Sequence, residues 1–272
     1  MNNFLKKNRF LILRRFTQIS ILALYFSANA YGLKILMGNL SGSLLFGIIP
    51  LSDPFAVMQM FAAGAILAID VIIGAIIIAL CYAIVGGRVF CSWVCPINII
   101  TDLANWLRRV LFIDKIDKKV WLKRGVRYWI IGIAFILSAL TGIAAFEIVS
   151  PISMLHRGIV FGMGMGSVAV FAIFLFDLFV VKNGWCGHVC PLGGFYSVIS
   201  KFSMIRVKHN QANCTLCMKC KEICPEKHIL SLIGKESGCI VSGECTNCGR
   251  CIEVCDDDAL LFGIRNYINK NS

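Results

Sequence analysis

Cys214-Thr-Leu-Cys217-Met-Lys-Cys220-Lys-Glu-Ile-Cys224-Pro225 is matched further along the chain by Cys245-Thr-Asn-Cys248-Gly-Arg-Cys251-Ile-Glu-Val-Cys255. Both runs have the spacing C-x2-C-x2-C-x3-C. Three cysteines two residues apart can hold one face of a [4Fe–4S] cluster, and the fourth cysteine ligates the other cluster. The spacing therefore predicts two clusters, one held by Cys214, Cys217, Cys220 and Cys255, and the other by Cys245, Cys248, Cys251 and Cys224.

Zinc is the alternative occupant of any cysteine group. Zinc ribbons prefer two separated C-x2-C pairs, whereas each run here carries four cysteines, so iron–sulfur clusters are favoured. The polar segment 206–272 is predicted to be a bacterial-type, two-[4Fe–4S] ferredoxin-like domain. So short a domain builds only a small core, and we expect the clusters to supply much of its folding free energy.

The rest of the composition is that of a membrane protein. The chain is 58% hydrophobic, with a mean hydropathy of +0.77, which excludes an ordinary soluble domain. The formal net charge of +12 could suggest a nucleic-acid partner. The Lys and Arg residues lie beside apolar stretches, however, where they set the orientation of membrane helices. We therefore expect lipid contacts and no nucleic acid.

Four apolar stretches, each long enough to cross a bilayer as a helix, lie at about residues 16–37, 60–85, 128–149 and 159–181. Basic residues crowd the N-terminal segment and the loop between the second and third stretches. Because cytoplasmic loops carry the excess of Lys and Arg, both termini are predicted to be cytoplasmic. Residues 1–205 are predicted to form a membrane all-α domain of four transmembrane helices in two hairpins, with an outer loop at 38–59 and a short turn at 150–158.

Two further cysteine pairs follow the second helix of each hairpin, in Cys91-Ser-Trp-Val-Cys95-Pro96 and Cys186-Gly-His-Val-Cys190-Pro191. Corresponding cysteines are 95 residues apart (186 − 91 and 190 − 95), which indicates a duplicated unit. Cysteines four positions apart lie on one side of a helical turn, and a proline suits the first turn of the next helix. The four thiols could bind a metal or a cluster, could cycle between dithiol and disulfide, or could pack at helix ends.

Three polar residues are candidates for proton transfer or for binding a quinol head group. Asp70 is expected near the centre of the second span, where a carboxylate costs about 3 kcal/mol; a hydrogen bond between helices explains it equally well. Glu147 and His156 are expected at the outer end of the third and fourth spans, where a quinol needs a hydrogen-bond partner and a proton acceptor. Ordinary polar residues at a headgroup boundary are the alternative there.

Several stretches together resemble the NapH family, the membrane-bound quinol dehydrogenase ferredoxin subunits of the periplasmic nitrate reductase system. The pair of C-x3-C-P motifs is the most discriminating of them. One departure from the ferredoxin pattern is Asp256, which follows Cys255 where proline is usual. The stretches are residues 38–43, 50–54, 91–98, 150–158 and 185–191, with both ferredoxin runs.

The resemblance implies a multi-pass protein of the bacterial inner membrane with four transmembrane helices, cytoplasmic termini and two [4Fe–4S] clusters. It also implies electron flow from menaquinol or ubiquinol toward a periplasmic iron–sulfur partner of NapG type, and on to the periplasmic nitrate reductase. The leading hypothesis is therefore a quinol dehydrogenase subunit that acts within a complex. A maturation or regulatory factor for a respiratory metalloenzyme is the alternative, and a structural anchor that docks electron carriers is a third.

Overall fold

A computed structural model describes residues 8–111, 125–162, 164 and 166–265. Most of these residues are helical. The α-helices are Arg9–Tyr31 (α1), Pro54–Ala62 (α2), Ile69–Val85 (α3), Ile97–Val110 (α4), Val126–Thr141 (α5), Ala145–Val149 (α6), Pro151–Phe161 (α7), Gly166–Leu175 (α8), Pro191–Ser200 (α9), Lys219–Ile223 (α10) and Arg250–Glu253 (α11). Single π-helical turns span Phe90–Val94, Phe176–Val180 and Trp185–Val189, and 3-10 turns span Gln211–Asn213 and Lys227–Leu230.

Two small antiparallel sheets accompany the helices. The first has the order β1-β2-β3 and the second the order β5-β4-β6. In the second, His209 of β4 pairs with Leu260 of β6 on one side and with Gly238 of β5 on the other. The strands are Leu36–Gly38 (β1), Gly42–Leu45 (β2), Ile49–Ser52 (β3), Ile205–His209 (β4), Gly238–Cys239 (β5) and Leu260–Ile264 (β6).

The chain divides into two compact units. The cysteine-rich unit comprises Met1–Thr17, Cys81–Val94 and Tyr196–Ser272, and the helical unit comprises Gln18–Leu80 and Cys95–Phe195. The first unit thus includes segments from well before residue 206. The predicted domain boundary between residues 205 and 206 stays a prediction. Contacts within the first unit join its two earlier segments to the segment that carries both ferredoxin runs.

The core of the helical unit is built around Phe55 of α2. Its ring contacts those of Phe135, Phe146 and Phe195 at centroid distances of 5.7, 5.7 and 5.3 Å. Nearby, the buried Gln59 accepts hydrogen bonds through Oε1 from the Phe146 amide at 2.9 Å and from a serine hydroxyl of α5. These contacts fix α2 against α5 and α6.

The outer loop that the sequence predicts at 38–59 contains β2, β3 and the start of α2, so the mostly helical domain also carries a small sheet that the sequence does not predict. Asn39 turns the chain between β1 and β2, because its Oδ1 accepts from the amides of Ser41 and Gly42 at 2.9 Å each. Asp53 then caps α2 through the Phe55 amide, with Pro54 at the first helical position. Asparagine turns and Asp-Pro helix starts of this kind act locally.

Three of the four predicted spans are divided by glycines. Gly64 (φ +76°) separates α2 from α3, Gly142 (φ +72°) ends α5, and Gly162 (φ +103°) ends α7. A left-handed residue after the last helical turn stops a helix at low cost when it is glycine. The predicted turn at 150–158 is mostly helical, because α7 begins at Pro151, directly after Ser150. Within the described residues, only α1 is both long and apolar enough to cross a membrane; Ile69–Val85, Val126–Thr141 and Gly166–Val180 are shorter apolar helices.

The orientation argument cannot be followed in the structure, because Lys6, Lys7 and the basic loop at 115–124 lie outside the described residues. Two of the basic residues that are described have internal roles. Arg14 and Arg127 are fully buried, and Arg127 donates to the Gly187 carbonyl at 3.4 Å. Neither of them is a surface charge.

Candidate iron–sulfur centres

The first three cysteines of the first ferredoxin run and the last cysteine of the second run line one cavity in the cysteine-rich unit. Its four thiol-bearing residues are Cys214, Cys217, Cys220 and Cys255. The remaining lining includes Ile233, Val254 and Leu260, so the walls are mostly apolar. This is the group of cysteines that the spacing assigns to one site.

A second cavity gathers the other four cysteines of the two runs, Cys224, Cys245, Cys248 and Cys251. Val207, Ile229, Leu230 and Ile240 line it as well. The two cavities have the same donor set, as expected for two sites that hold the same kind of group.

The loops that carry the cysteines curl around the cavities through left-handed residues. Leu216 (φ +60°) and Met218 (φ +59°) flank Cys217, and Asn247 (φ +47°) and Gly249 (φ +75°) flank Cys248 in the same pattern. A positive φ is a conformational outlier for a bulky side chain such as leucine. Alternation of this kind turns successive amides into a concave surface that favours anions, which suits a cluster with thiolate ligands.

Burial has a strong effect on the cysteines of these sites. It raises the pKa of Cys224 to about 12 and that of Cys245 to about 11, with the neighbouring thiols adding to the effect. The pKa values of Cys220 and Cys251 are raised for the same reason. Thiols of this kind are neutral at pH 7 unless a bound cation stabilises the thiolate. Four soft sulfur donors in an apolar cavity fit an iron–sulfur cluster.

The first C-x3-C-P segment is hydrogen-bonded to the second ferredoxin loop, a contact that the sequence does not indicate. Ser92 Oγ donates to the Thr246 carbonyl at 2.7 Å, and Trp93 Nε1 donates to the Asn247 carbonyl at 3.2 Å. Asn247 in turn donates through Nδ2 to the carbonyls of Val85 and Ile205 at 3.0 and 2.9 Å. The end of α3, the π-turn with Cys91 and the second cavity therefore form one packed region.

Both C-x3-C-P motifs adopt the same local structure. Each lies on a π-helical turn, shown at the second motif by the Cys190 amide, which donates to the Trp185 carbonyl at 2.9 Å. Pro191 begins α9, and Pro96 directly precedes α4. Cys91 belongs to the cysteine-rich unit, whereas Cys95, Cys186 and Cys190 belong to the helical unit. A shared site for these four thiols stays a prediction.

The quinol candidates differ in their surroundings. Asp70 is not central in a span: it is exposed in the first turn of α3, because the helix begins at Ile69. A carboxylate there interacts favourably with the helix dipole. Glu147 accepts from the hydroxyls of Ser41 and Ser153 at 2.5 and 2.6 Å.

His156 is buried on α7, and its ring lies edge-on to Tyr25 at 4.9 Å. Burial, together with the charge of Arg157, lowers the pKa of His156, so the imidazole is neutral at physiological pH. Neither ring nitrogen has a hydrogen-bond partner among the described residues. A neutral imidazole has one nitrogen that can accept a proton.

Comparison with known proteins places the chain in a family. A family model described as a 4Fe-4S binding domain matches twice, at residues 67–113 and 163–209, and one described as a 4Fe-4S dicluster domain matches residues 206–256. The ferredoxin-type protein NapH of Haemophilus influenzae is 45% identical over 263 residues, which are 95% of this chain and 91% of that one. The chain belongs to the NapH family of ferredoxin-type proteins.

A second NapH protein supports this assignment, and a protein with a different name, MauN, is about as similar. NapH of Escherichia coli is 43% identical over 226 residues, 83% of this chain and 78% of the relative. The methylamine utilization ferredoxin-type protein MauN of Methylorubrum extorquens is also 43% identical, over 243 residues, 88% and 84% of the two chains. No solved structure matches. The chain is thus an iron–sulfur electron-transfer protein of ferredoxin type, and the twofold family match agrees with the internal repeat.

Proposed function

We propose that this chain is a membrane-bound electron-transfer subunit that takes part in quinol oxidation within a complex. The observation that carries the proposal is the sorting of eight cysteines into two apolar four-cysteine cavities. Two redox sites in one small unit suit a protein that receives electrons from a two-electron donor and releases them singly. The chain is proposed to pass electrons on and not to reduce nitrate itself.

Each cavity is proposed to hold one [4Fe–4S] cluster, which supplies reversible one-electron chemistry when bound. Cys214, Cys217, Cys220 and Cys255 would hold the first, and Cys245, Cys248, Cys251 and Cys224 the second. The apolar walls shield the buried residues Cys220, Cys224, Cys245 and Cys251 from water, whereas Cys217 is exposed. The cysteines of the two C-x3-C-P motifs, Cys91, Cys95, Cys186 and Cys190, are proposed as a further metal or redox-thiol site.

The helical unit is proposed to be embedded in the bacterial inner membrane, with α1, α3, α5 and the Gly166–Val180 segment crossing it in two hairpins. Support comes from the apolar composition of these helices and from the basic residues near the N-terminus and before α5. Both termini, and with them the cysteine-rich unit, are then cytoplasmic.

Glu147 and His156 are proposed as the residues that handle the quinol, whether menaquinol or ubiquinol. Oxidation of a quinol releases protons, so the site needs an acceptor that is unprotonated beforehand. The neutral imidazole of His156 meets this requirement, and Glu147 is held by two serine hydroxyls on the same unit. Asp70 is the weaker candidate, because it is exposed at the start of α3.

The acceptor is proposed to be a periplasmic iron–sulfur protein of NapG type that delivers electrons to the periplasmic nitrate reductase. The names of the NapH relatives support this context. The equal identity to MauN supports a second candidate, in which the same electron-transfer unit serves methylamine utilization. Growth of a deletion strain with nitrate as electron acceptor, and separately with methylamine as substrate, distinguishes the two.

The proposed function is tested by adding a reduced quinol analogue to the purified, detergent-solubilised protein under anaerobic conditions. We expect the EPR signals of reduced clusters to appear within the turnover time, and to be slowed by His156→Gln but not by Asp70→Asn. Clusters that quinol leaves oxidised, together with a metalloenzyme assembly defect in a deletion strain, would favour the maturation factor. Unchanged electron flow after Cys→Ser changes at all four C-x3-C-P positions would favour the anchor.

A further inference from the structure

Two arginines are buried beside the second cavity. Arg88, on the loop after α3, and Arg206, on β4, are 1% and 0% exposed. Arg88 Nη1 donates to the Glu244 carbonyl at 3.0 Å, and Arg206 Nη1 donates to the Ser242 carbonyl at 2.8 Å. Both carbonyls belong to the short segment that leads into Cys245. The two guanidinium groups are therefore fixed close to one ligand loop of this cavity.

Their electrostatic effect reaches the sulfur atoms. Burial raises the pKa of Cys245 to about 11, and the charges of Arg206 and Arg88 act in the opposite direction. The other charged groups at this site partly compensate. Glu226 Oε1 lies 3.1 Å from Arg88 Nη1, and Glu244 Oε2 lies 2.9 Å from Nε2 of the exposed His228. A third arginine, Arg250, lines the cavity as well. The described residues named here are thus three arginines and two carboxylates.

The first cavity differs in the charged groups around it. Asp257 lines it, and the neighbouring Asp256 is paired with Lys219 at 2.9 Å in an exposed ion pair. The ring of His209 also lines the cavity, and its Nδ1 donates to the Glu236 carbonyl at 2.8 Å. No arginine is among the described residues that line it. The two sites therefore offer the same ligands in different electrostatic surroundings.

We infer that the buried Arg206 and Arg88 raise the reduction potential of the second site and so offset part of the cost that burial of its ligands imposes on reduction. This inference rests on the proposed two-cluster function. Reduction adds a negative charge, which a nearby cation stabilises and a nearby carboxylate destabilises. Burial of the ligands acts against reduction at the second site, and at Cys245 it is the largest influence; the fixed positive charges at short range oppose it.

The fold offers a matched pair of substitutions on β4. Arg206→Gln removes a buried positive charge beside the second cavity, and Lys208→Gln removes an exposed one two residues along the same strand. Cluster potentials in the purified full-length protein are measured by anaerobic EPR redox titration. We expect Arg206→Gln to shift the electron distribution between the clusters toward the first by about tenfold or more, which corresponds to 59 mV or more for a one-electron couple. Lys208→Gln should leave the distribution within about twofold of the wild type.

Arg88→Gln is a second variant, independent of the stability of the Arg206 variant, and should shift the electron distribution in the same direction. Cys217→Ser alters a proposed ligand of the first site only, and so identifies which EPR signal belongs to that site. The signal that Cys217→Ser leaves unchanged should be the one whose potential falls in the arginine variants. If the potential of the altered signal falls instead, or if the arginine variants and Lys208→Gln have equal effects, the inference is wrong. Protein that carries both clusters but is not reduced by quinol would contradict the proposed function alone.

Discussion

Asn247 is the residue whose replacement tests the packing of the second cavity most sharply. Its side chain is buried, and Nδ2 joins two segments distant in sequence by donating to the carbonyls of Val85 and Ile205. Asn247→Ala removes both hydrogen bonds, at about 1 kcal/mol each. It also places alanine at a φ of +47°, which costs about 1 kcal/mol more. We therefore expect a loss of about 3 kcal/mol in the free energy of unfolding.

The assay is anaerobic denaturant unfolding of the cluster-loaded protein, followed by the visible absorbance of the clusters. Asn247→Gly should recover about 1 kcal/mol relative to Asn247→Ala, because glycine adopts positive φ without strain. Asn210→Ala is the matched control: Asn210 is exposed, and its Oδ1 accepts one bond from the Ala212 amide. A loss below about 0.5 kcal/mol for Asn247→Ala, or an equal loss in the control, would refute this account of the region.

Three further predictions follow from the cysteine-rich unit. Gly87→Ala should sharply lower the thermal midpoint, because the new Cβ would collide with the Tyr196 carbonyl, whereas Gly132→Ala, with no atom within 4 Å, should be tolerated. Glu226→Gln should destabilise by about 3 kcal/mol or more in denaturant unfolding, since it leaves the buried Arg88 charge without its carboxylate; Asp256→Asn, in an exposed pair, should cause no measurable change. Removing iron with a chelator should abolish the protease resistance of residues 206–265 while the apolar helices stay protected, and retained resistance would show that the clusters contribute little to folding.

The sequence predicts the gathering of the cysteines well, because ligand spacing is a local property. Three cysteines within one short loop cannot lie far apart, and the fourth cysteine of each run falls in the other cavity, as the spacing predicts. That the cavities hold clusters is the proposal built on this grouping. The internal repeat can also be predicted from the sequence, since two copies of one motif at a constant offset are enough to detect it.

The helix boundaries are harder to predict from the sequence. Single glycine and asparagine residues end or turn the chain inside long apolar stretches, where hydropathy does not distinguish them. The apolar stretches continue across Gly64 and Gly162, but the backbone turns at both residues. The sheet β1-β2-β3 depends on the turn at Asn39, a signal that apolar composition masks. For the same reason Asp70, which the sequence predicts near the centre of a span, lies in the first turn of a helix.

The residues that surround the second cavity could not have been found from the sequence. Arg88, Arg206 and Asn247 belong to three separate segments, and their roles appear only when the fold brings the end of α3, β4 and the second ferredoxin loop together. A lone arginine after two glycines is usually interpreted as a helix-flanking charge. Its burial against Glu226 is a long-range property of the fold.

The most direct test of the central claim is the iron and acid-labile sulfide content of the full-length protein purified anaerobically. Two [4Fe–4S] clusters require about eight irons and eight sulfides per chain, with two EPR signals on full reduction. Replacement of Cys220 and Cys255 together should remove about half of the iron and one signal. Material that contains zinc in place of iron, or that loses all of its iron in that variant, would contradict two separate clusters in the two cavities.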